Sequence, residues 1–199
     1  MIKPTIVPGV GIAVYENVWS NPTQTIIDIE KLVNDESSGV KFTSSTLLGD
    51  KENKNNLATQ YRTSQDLSTA KNNSNEYIKE FETKCEIVVN QCLNSYKKEM
   101  MVGYEIYNPE GFNLLKYEPG GHFKSHYDSY PAVKRCISVL IYLNDDYLGG
   151  ELEFVYFNVK IKPKAGTVIL FPPNYPYRHI AHPVESGTKY SVATWYHER

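Results

Sequence analysis

The run Tyr117–Asp128, YEPGGHFKSHYD, holds the residues whose types and spacing could do chemistry. His126 and Asp128 are two apart, so on an extended strand both side chains project from one face. An imidazole and a carboxylate side by side are two of the three ligands that hold non-haem Fe(II) on one face and leave the opposite positions open. The remaining ligand has to come from His122, His179, His182 or His197. His122 lies four residues before His126 on the same run and is badly placed to complete a tight face. His179 and His182 are an odd number apart, so an extended chain points them to opposite sides; one of them can face the metal, and spacing does not choose. Ten residues after His179, Lys189 sits inside the strand-like TKYSVATWY. A lysine on a half-buried strand is costly unless its ammonium meets an anion, the other reading being an ordinary edge-strand lysine.

The elements that must position these groups fall into two kinds. Two helices are expected in the first hundred residues. One begins at Asn21-Pro22, with Asn21 as a candidate cap and Ile26, Ile29, Leu32 and Val33 as its apolar stripe. The other runs from about Asn75 to Glu99, where Ile78, Phe81, Cys85, Val88, Cys92 and Tyr96 recur at three- and four-residue steps. Cys85 and Cys92 lie on that stripe and read as core, not as metal ligands. The stretch from Asp35 to Asn75, with its GDKENKNN and KNNSN clusters, reads as loops around short elements. Beyond residue 100, GYEIYN, FNLLKY, HFKSHYD, RCISVLIYL, ELEFVYF, VKIKP, GTVILF and TKYSVATWY are short β-branched or aromatic runs divided by Gly, Pro and Asn-Asp. Helices first and strands after predict an α+β chain, mainly β, with a jelly-roll core supported by N-terminal helices.

Composition narrows the class further. The chain has 199 residues, enough for one sizeable core, and 41% hydrophobic against 22% charged residues argues against disorder. A formal charge of −2 gives no broad cationic face for nucleic acid, though it permits a local basic groove. No run of 18 apolar residues occurs, and the N-terminal stretch, broken by Pro4, Pro8, Gly9 and Gly11, makes a poor signal peptide. Three cysteines without a C-x-x-C fit a reducing compartment, so a cytoplasmic location with no membrane partner is expected. Gly9-Val10-Gly11 has no third glycine in place for a dinucleotide loop.

The C-terminal half resembles the Fe(II)- and 2-oxoglutarate-dependent oxygenases, most of all the prolyl 4-hydroxylase catalytic domain. The family's Tyr, Gly, aromatic and H-x-D series is similar to Tyr117, Gly120, Phe123, His126 and Asp128; its next strand and G-G-E turn resemble Arg135 to Glu151. Its distal segment resembles His179, Pro183-Val184, Gly187, Lys189 and Trp195, and that register selects His179 over His182. The resemblance runs roughly from Glu110 to His197, with a fainter echo at Tyr61-Arg62-Thr63-Ser64. It implies a double-stranded β-helix (jelly-roll, cupin-like) forming one domain over 1–199, helical support and loops over 1–100 and the core over about 101–199. It implies Fe(II) held by His126, Asp128 and His179, and 2-oxoglutarate held by Tyr117 and Lys189. Arg62, Ser64, Glu110, Phe123, Arg135, Trp195 and His197 are implied to line a groove for a proline-containing peptide or protein.

The implied reaction uses O2, with ascorbate supporting activity, and releases succinate and CO2 as a C–H bond is hydroxylated. With Asp128 present, hydroxylation is favoured over the halogenation of relatives that lack the carboxylate. Two positions depart from the pattern: Phe123 stands where Tyr is common, and Leu152 where Thr can help hold the cosubstrate. Two other readings remain open, the same chemistry on a free amino acid or other small molecule, and a non-catalytic jelly-roll binding protein.

Overall fold

The structure, a computed structural model, describes residues 2–7, 10–46, 60–103, 105–108, 110–129 and 133–199. The GDKENKNN cluster, expected within a loop stretch, lies outside the described residues, as do residues 130–132. In chain order the strands are β1 (Thr5–Val7), β2 (Ile12–Tyr15), β3 (Thr43–Ser44), β4 (Arg62–Thr63), β5 (Gln65–Ser68), β6 (Ile106–Tyr107), β7 (Asn113–Tyr117) and β8 (His122–His126). They continue with β9 (Arg135–Tyr142), β10 (Leu148–Gly149), β11 (Leu152–Phe154), β12 (Val159–Ile161), β13 (Thr167–Phe171), β14 (His179–Ala181), β15 (Val184–Ser186) and β16 (Lys189–Glu198). Among the described residues two α-helices are complete, α1 (Pro22–Asn34) and α2 (Glu76–Glu99).

A large sheet runs β1-β2-β13-β9-β16-β7-β5-β3, with β6 also on β16, and a smaller one runs β12-β11-β14-β8-β4; β10 pairs with β15. From β7 onward the chain passes back and forth between the two sheets (β7, β8, β9, then the β11–β12 hairpin, β13, β14 and β16), as in a jelly roll. Each expected strand run after residue 100 contains a strand. The first hundred residues are more than helical support: β2 pairs with β13, β5 with β7 and β4 with β8, so strands before residue 100 widen both sheets.

Helix α2 covers the outer face of the large sheet. Its six-residue stripe from Ile78 to Tyr96 is buried against Val139, Ile141, Val168, Leu170 and Val192. Asn75 caps this helix, its side chain accepting from the Ile78 amide at 3.2 Å. Asn21 does not cap α1. It is left-handed (φ 50°) and makes no side-chain cap bond; Pro22 starts the helix without a side-chain acceptor.

The inner face of the large sheet follows from strand alternation. Asn113, Leu115 and Tyr117 of β7, Lys189, Ser191, Ala193 and Trp195 of β16, and Leu140 and Tyr142 of β9 all point between the sheets. The site is built there.

Candidate metal centre and its two pockets

His179 opens β14 directly across from His126, the last residue of β8. Opposed residues in a ladder share a face, so the two imidazoles meet, with ring centroids 4.2 Å apart. Asp128 follows two residues beyond His126, in a turn whose Asp128 and Ser129 amides donate to the Pro173 carbonyl at 3.0 and 2.9 Å. His126 Nε2 lies 3.6 Å from Asp128 Oδ1, and His179 Nε2 lies 4.0 Å from Asp128 Oδ2. One ligand atom from each residue falls within a 4.8 Å cluster, the one group of its kind found among the described residues. His182 turns the other way and its Nε2 meets Glu153 Oε2 at 2.6 Å.

The protonation of the three groups suits a metal. Nδ1 of His126 lies 2.8 Å from the Lys124 carbonyl and Nδ1 of His179 lies 2.9 Å from that of Tyr177. A carbonyl only accepts, so each Nδ1 carries a hydrogen and each Nε2 is the nitrogen turned toward the cluster. Burial and the neighbouring His179 hold the His126 pKa below its ordinary value, keeping the ring neutral. Burial pushes the Asp128 carboxyl up, but His179, His126 and the donors Ser138 and Trp195 outweigh it and keep Asp128 ionised. Ser138 donates to Asp128 Oδ2 at 2.6 Å. Two imidazoles and one fixed carboxylate are a donor set that fits a divalent transition metal.

Behind the three ligands lies an inner pocket walled by Tyr117, Tyr142, Leu140, Leu152, Lys189 and Ser191. Lys189 is 1% exposed, yet no carboxylate among the described residues pairs with it; its Nζ donates to the Gly150 carbonyl at 2.8 Å and lies 5.1 Å from the Tyr117 ring and 5.3 Å from that of Tyr142. Burial pulls its pKa from 10.5 to about 7. A buried amine among phenols, facing a cavity, is a site that an anion would complete. Leu152 lines this wall with no hydroxyl, as its position in the sequence implied, while Tyr142 and Ser191 add hydroxyl-bearing side chains that sequence reading passed over. The signal was present in the alternation, since Ser191 is two residues from Lys189 and Tyr142 four from Ser138.

In front of the ligands is a groove of about 440 Å³, lined among others by Arg62, Glu110, Phe123, Arg135 and Trp195. The Phe123 ring stacks on His126 with centroids 3.5 Å apart, and the Arg62 guanidinium lies 4.8 Å from the same ring. Arg135 forks onto both oxygens of Glu110, covers the Trp195 ring at 3.8 Å and donates from Nη1 to the Asp128 carbonyl at 2.9 Å. Burial pushes Glu110 up, yet Arg135 and His197 outweigh it and hold the carboxyl below its ordinary value. Ser64 and His197 stand behind the lining: Ser64 accepts from Arg62 Nε at 2.8 Å, and His197 Nε2 meets Glu110 Oε1 at 2.7 Å. The residues expected at the groove are thus gathered in one place, with these two acting through Arg62 and Glu110.

With that geometry in view, the family model described as the 2OG-Fe(II) oxygenase superfamily matches residues 112–197, the segment that carries all three clustered ligands. Among curated relatives it is 32% identical over 112 residues to a protein of Acanthamoeba polyphaga mimivirus named "Putative prolyl 4-hydroxylase", covering 46% of each chain. It is 28% identical over 117 residues to prolyl 4-hydroxylase subunit alpha-1 of Gallus gallus, covering 50% of this chain and 23% of that one. The chain spans less than half the length of these relatives. Among solved structures, a Trichoplax adhaerens prolyl hydroxylase in complex with a hypoxia inducible factor oxygen degradation domain peptide fragment superposes with a TM-score of 0.69 at 22% identity, covering 96% of this chain and 84% of that one. The viral collagen prolyl hydroxylase of Paramecium Bursaria Chlorella virus-1 does so with a TM-score of 0.60 at 20% identity, covering 95% and 96%. These likenesses show the double-stranded β-helix fold. No helix among the described residues is long and apolar enough to cross a membrane.

Proposed function

We propose that residues 1–199 form a single domain that hydroxylates a peptidyl proline, using Fe(II), 2-oxoglutarate and O2 and releasing succinate and CO2. The observation that carries this reading is the cluster of His126, Asp128 and His179 set between a buried, carboxylate-free Lys189 and an open groove. His126 and His179 would bind iron through Nε2, and Asp128 through its carboxylate. Bound there, Fe(II) supplies the oxygen activation that couples oxidative decarboxylation of 2-oxoglutarate to hydroxylation of a C–H bond. Lys189 would neutralise the far carboxylate of 2-oxoglutarate, with the hydroxyls of Tyr117 and Tyr142 as further donors. Leu115, Leu140, Leu152 and Ala193 keep this compartment apolar, which strengthens the ion pair and excludes bulk water.

On the other side, Phe123 and Trp195 offer aromatic faces to a proline ring, and the donors of Arg62 suit the exposed carbonyls of an extended peptide. A groove of about 440 Å³ in front of the metal cluster is larger than a single amino acid fills, which supports a peptide over a free amino acid. The test is to incubate the protein with Fe(II), ascorbate, 2-oxoglutarate and proline-rich peptides. Succinate should form, faster with peptide, and the peptide should gain one oxygen on proline. Succinate without peptide oxidation at any proline would leave an oxygenase and remove the prolyl substrate.

A further inference from the structure

We infer that the groove selects an acidic segment, so that the peptide it receives carries carboxylates beside its proline. This rests on the peptide-hydroxylase reading above and adds the charge of the substrate. Around the groove most carboxylates are already spent while most cations are not. Glu110 is taken by Arg135 and His197, and Asp128 belongs to the metal cluster. Among the described lining residues that leaves Asp66 as the one free carboxylate, against Arg62, Lys71 and Lys124, none of which meets a carboxylate. Arg178 stands behind two lining residues, donating to the Ser125 carbonyl at 3.0 Å and lying 5.3 Å from the Tyr127 ring.

These cations are held in place by neutral groups. The Arg62 guanidinium rests on Phe123 and Ser64, and the Lys124 ammonium lies 5.4 Å from the half-exposed Tyr61 ring. Arg62 pairs in register with Phe123 across β4 and β8, and Lys124 follows Phe123 on β8, so both cations stand at the edge of the smaller sheet beside the groove. An aromatic face orients a cation without neutralising it, leaving its charge available to an incoming anion. A chain whose net charge is −2 thus presents a locally positive wall where its substrate must lie. Complementary charge on the peptide would raise its encounter rate and fix its register over the metal.

Three synthetic peptides, each with one central proline flanked on both sides by Asp, by Asn or by Lys, test this on the iron-loaded protein. At low ionic strength the Asp peptide should show kcat/KM about tenfold above the Asn peptide, with the Lys peptide below both. Added salt should shrink that ratio. Tryptophan-fluorescence titration of the metal-free protein should rank binding in the same order. Replacing both Lys71→Glu and Lys124→Glu should reverse the order, while Lys79→Glu, on the exposed face of α2, should leave it unchanged. Equal rates for the three peptides, or a preference for the Lys peptide, would overturn the inference and keep prolyl hydroxylation. Oxidation of none of them, with succinate still formed, would overturn both.

Discussion

Ser138 shows at the scale of one residue how the metal cluster is fixed. Its hydroxyl, fully buried on β9, donates to one Asp128 oxygen and leaves the other toward His126. Ser138→Ala should weaken Fe(II) or Co(II) binding by about tenfold or more, with Ser138→Thr restoring it, in a metal titration followed by absorbance. His182→Ala, three residues after His179 but turned toward Glu153, should bind metal as the parent does. Lys189 makes a prediction of opposite signs. Its amine titrates at about 7 in the folded chain and at 10.5 when unfolded, so between these values the unfolded state binds more protons and stability rises with pH. Binding a dicarboxylate requires the charged form, so affinity for 2-oxoglutarate should fall up to about tenfold per pH unit above 7. Calorimetry in buffers of different ionisation enthalpy should find proton uptake approaching one per ligand near about pH 8, and Lys189→Ala should abolish it.

At the scale of elements, the turn between β10 and β11 aims the Gly150 carbonyl at Lys189. Gly149 there has φ 70°, and a Cβ on it would come within 2.3 Å of the Pro183 carbonyl oxygen. Gly149→Ala should therefore cost about 1–3 kcal/mol in urea unfolding and also weaken 2-oxoglutarate binding. Elements of this kind were unevenly legible. Helix α2 was readable end to end because its apolar stripe repeats over 24 residues and Asn75 marks its start. The strands after residue 100 were readable from β-branched runs and Gly or Pro punctuation. β1 to β5 were not, because each is only two to four residues long and gains its identity from partners far along the chain, such as β13 for β2 and β7 for β5. Within the site, H-x-D and Lys189 stood out because a charged or metal-binding side chain on an apolar strand needs a reason. Tyr142 did not, since a tyrosine in RCISVLIYL looks like any core aromatic until pairing decides which face it takes.

Across the whole molecule, the binding groups are shared between the two sheets. His126 and His179 stand on strands of the smaller sheet; Lys189, Tyr117 and Tyr142 stand on the larger, and Asp128 is tied to β9 through Ser138 and Arg135. A metal with 2-oxoglutarate attached would therefore clamp the sheets together, and ligand binding should register as global stability. With each at about one hundred times its dissociation constant, each binding step adds about 2.7 kcal/mol, a rise in Tm of about 5–10 °C for a chain of this size. Differential scanning fluorimetry with Mn(II) and 2-oxoglutarate under nitrogen should show the two increments in order, 2-oxoglutarate giving its full increment only after metal. Chelation by EDTA should remove both. Asp128→Ala should lose the metal increment and with it the second, whereas Lys189→Ala should keep the first and lose the second. A full 2-oxoglutarate shift in Lys189→Ala would mean that the cosubstrate is held elsewhere, and the two-sheet clamp would have to be redrawn.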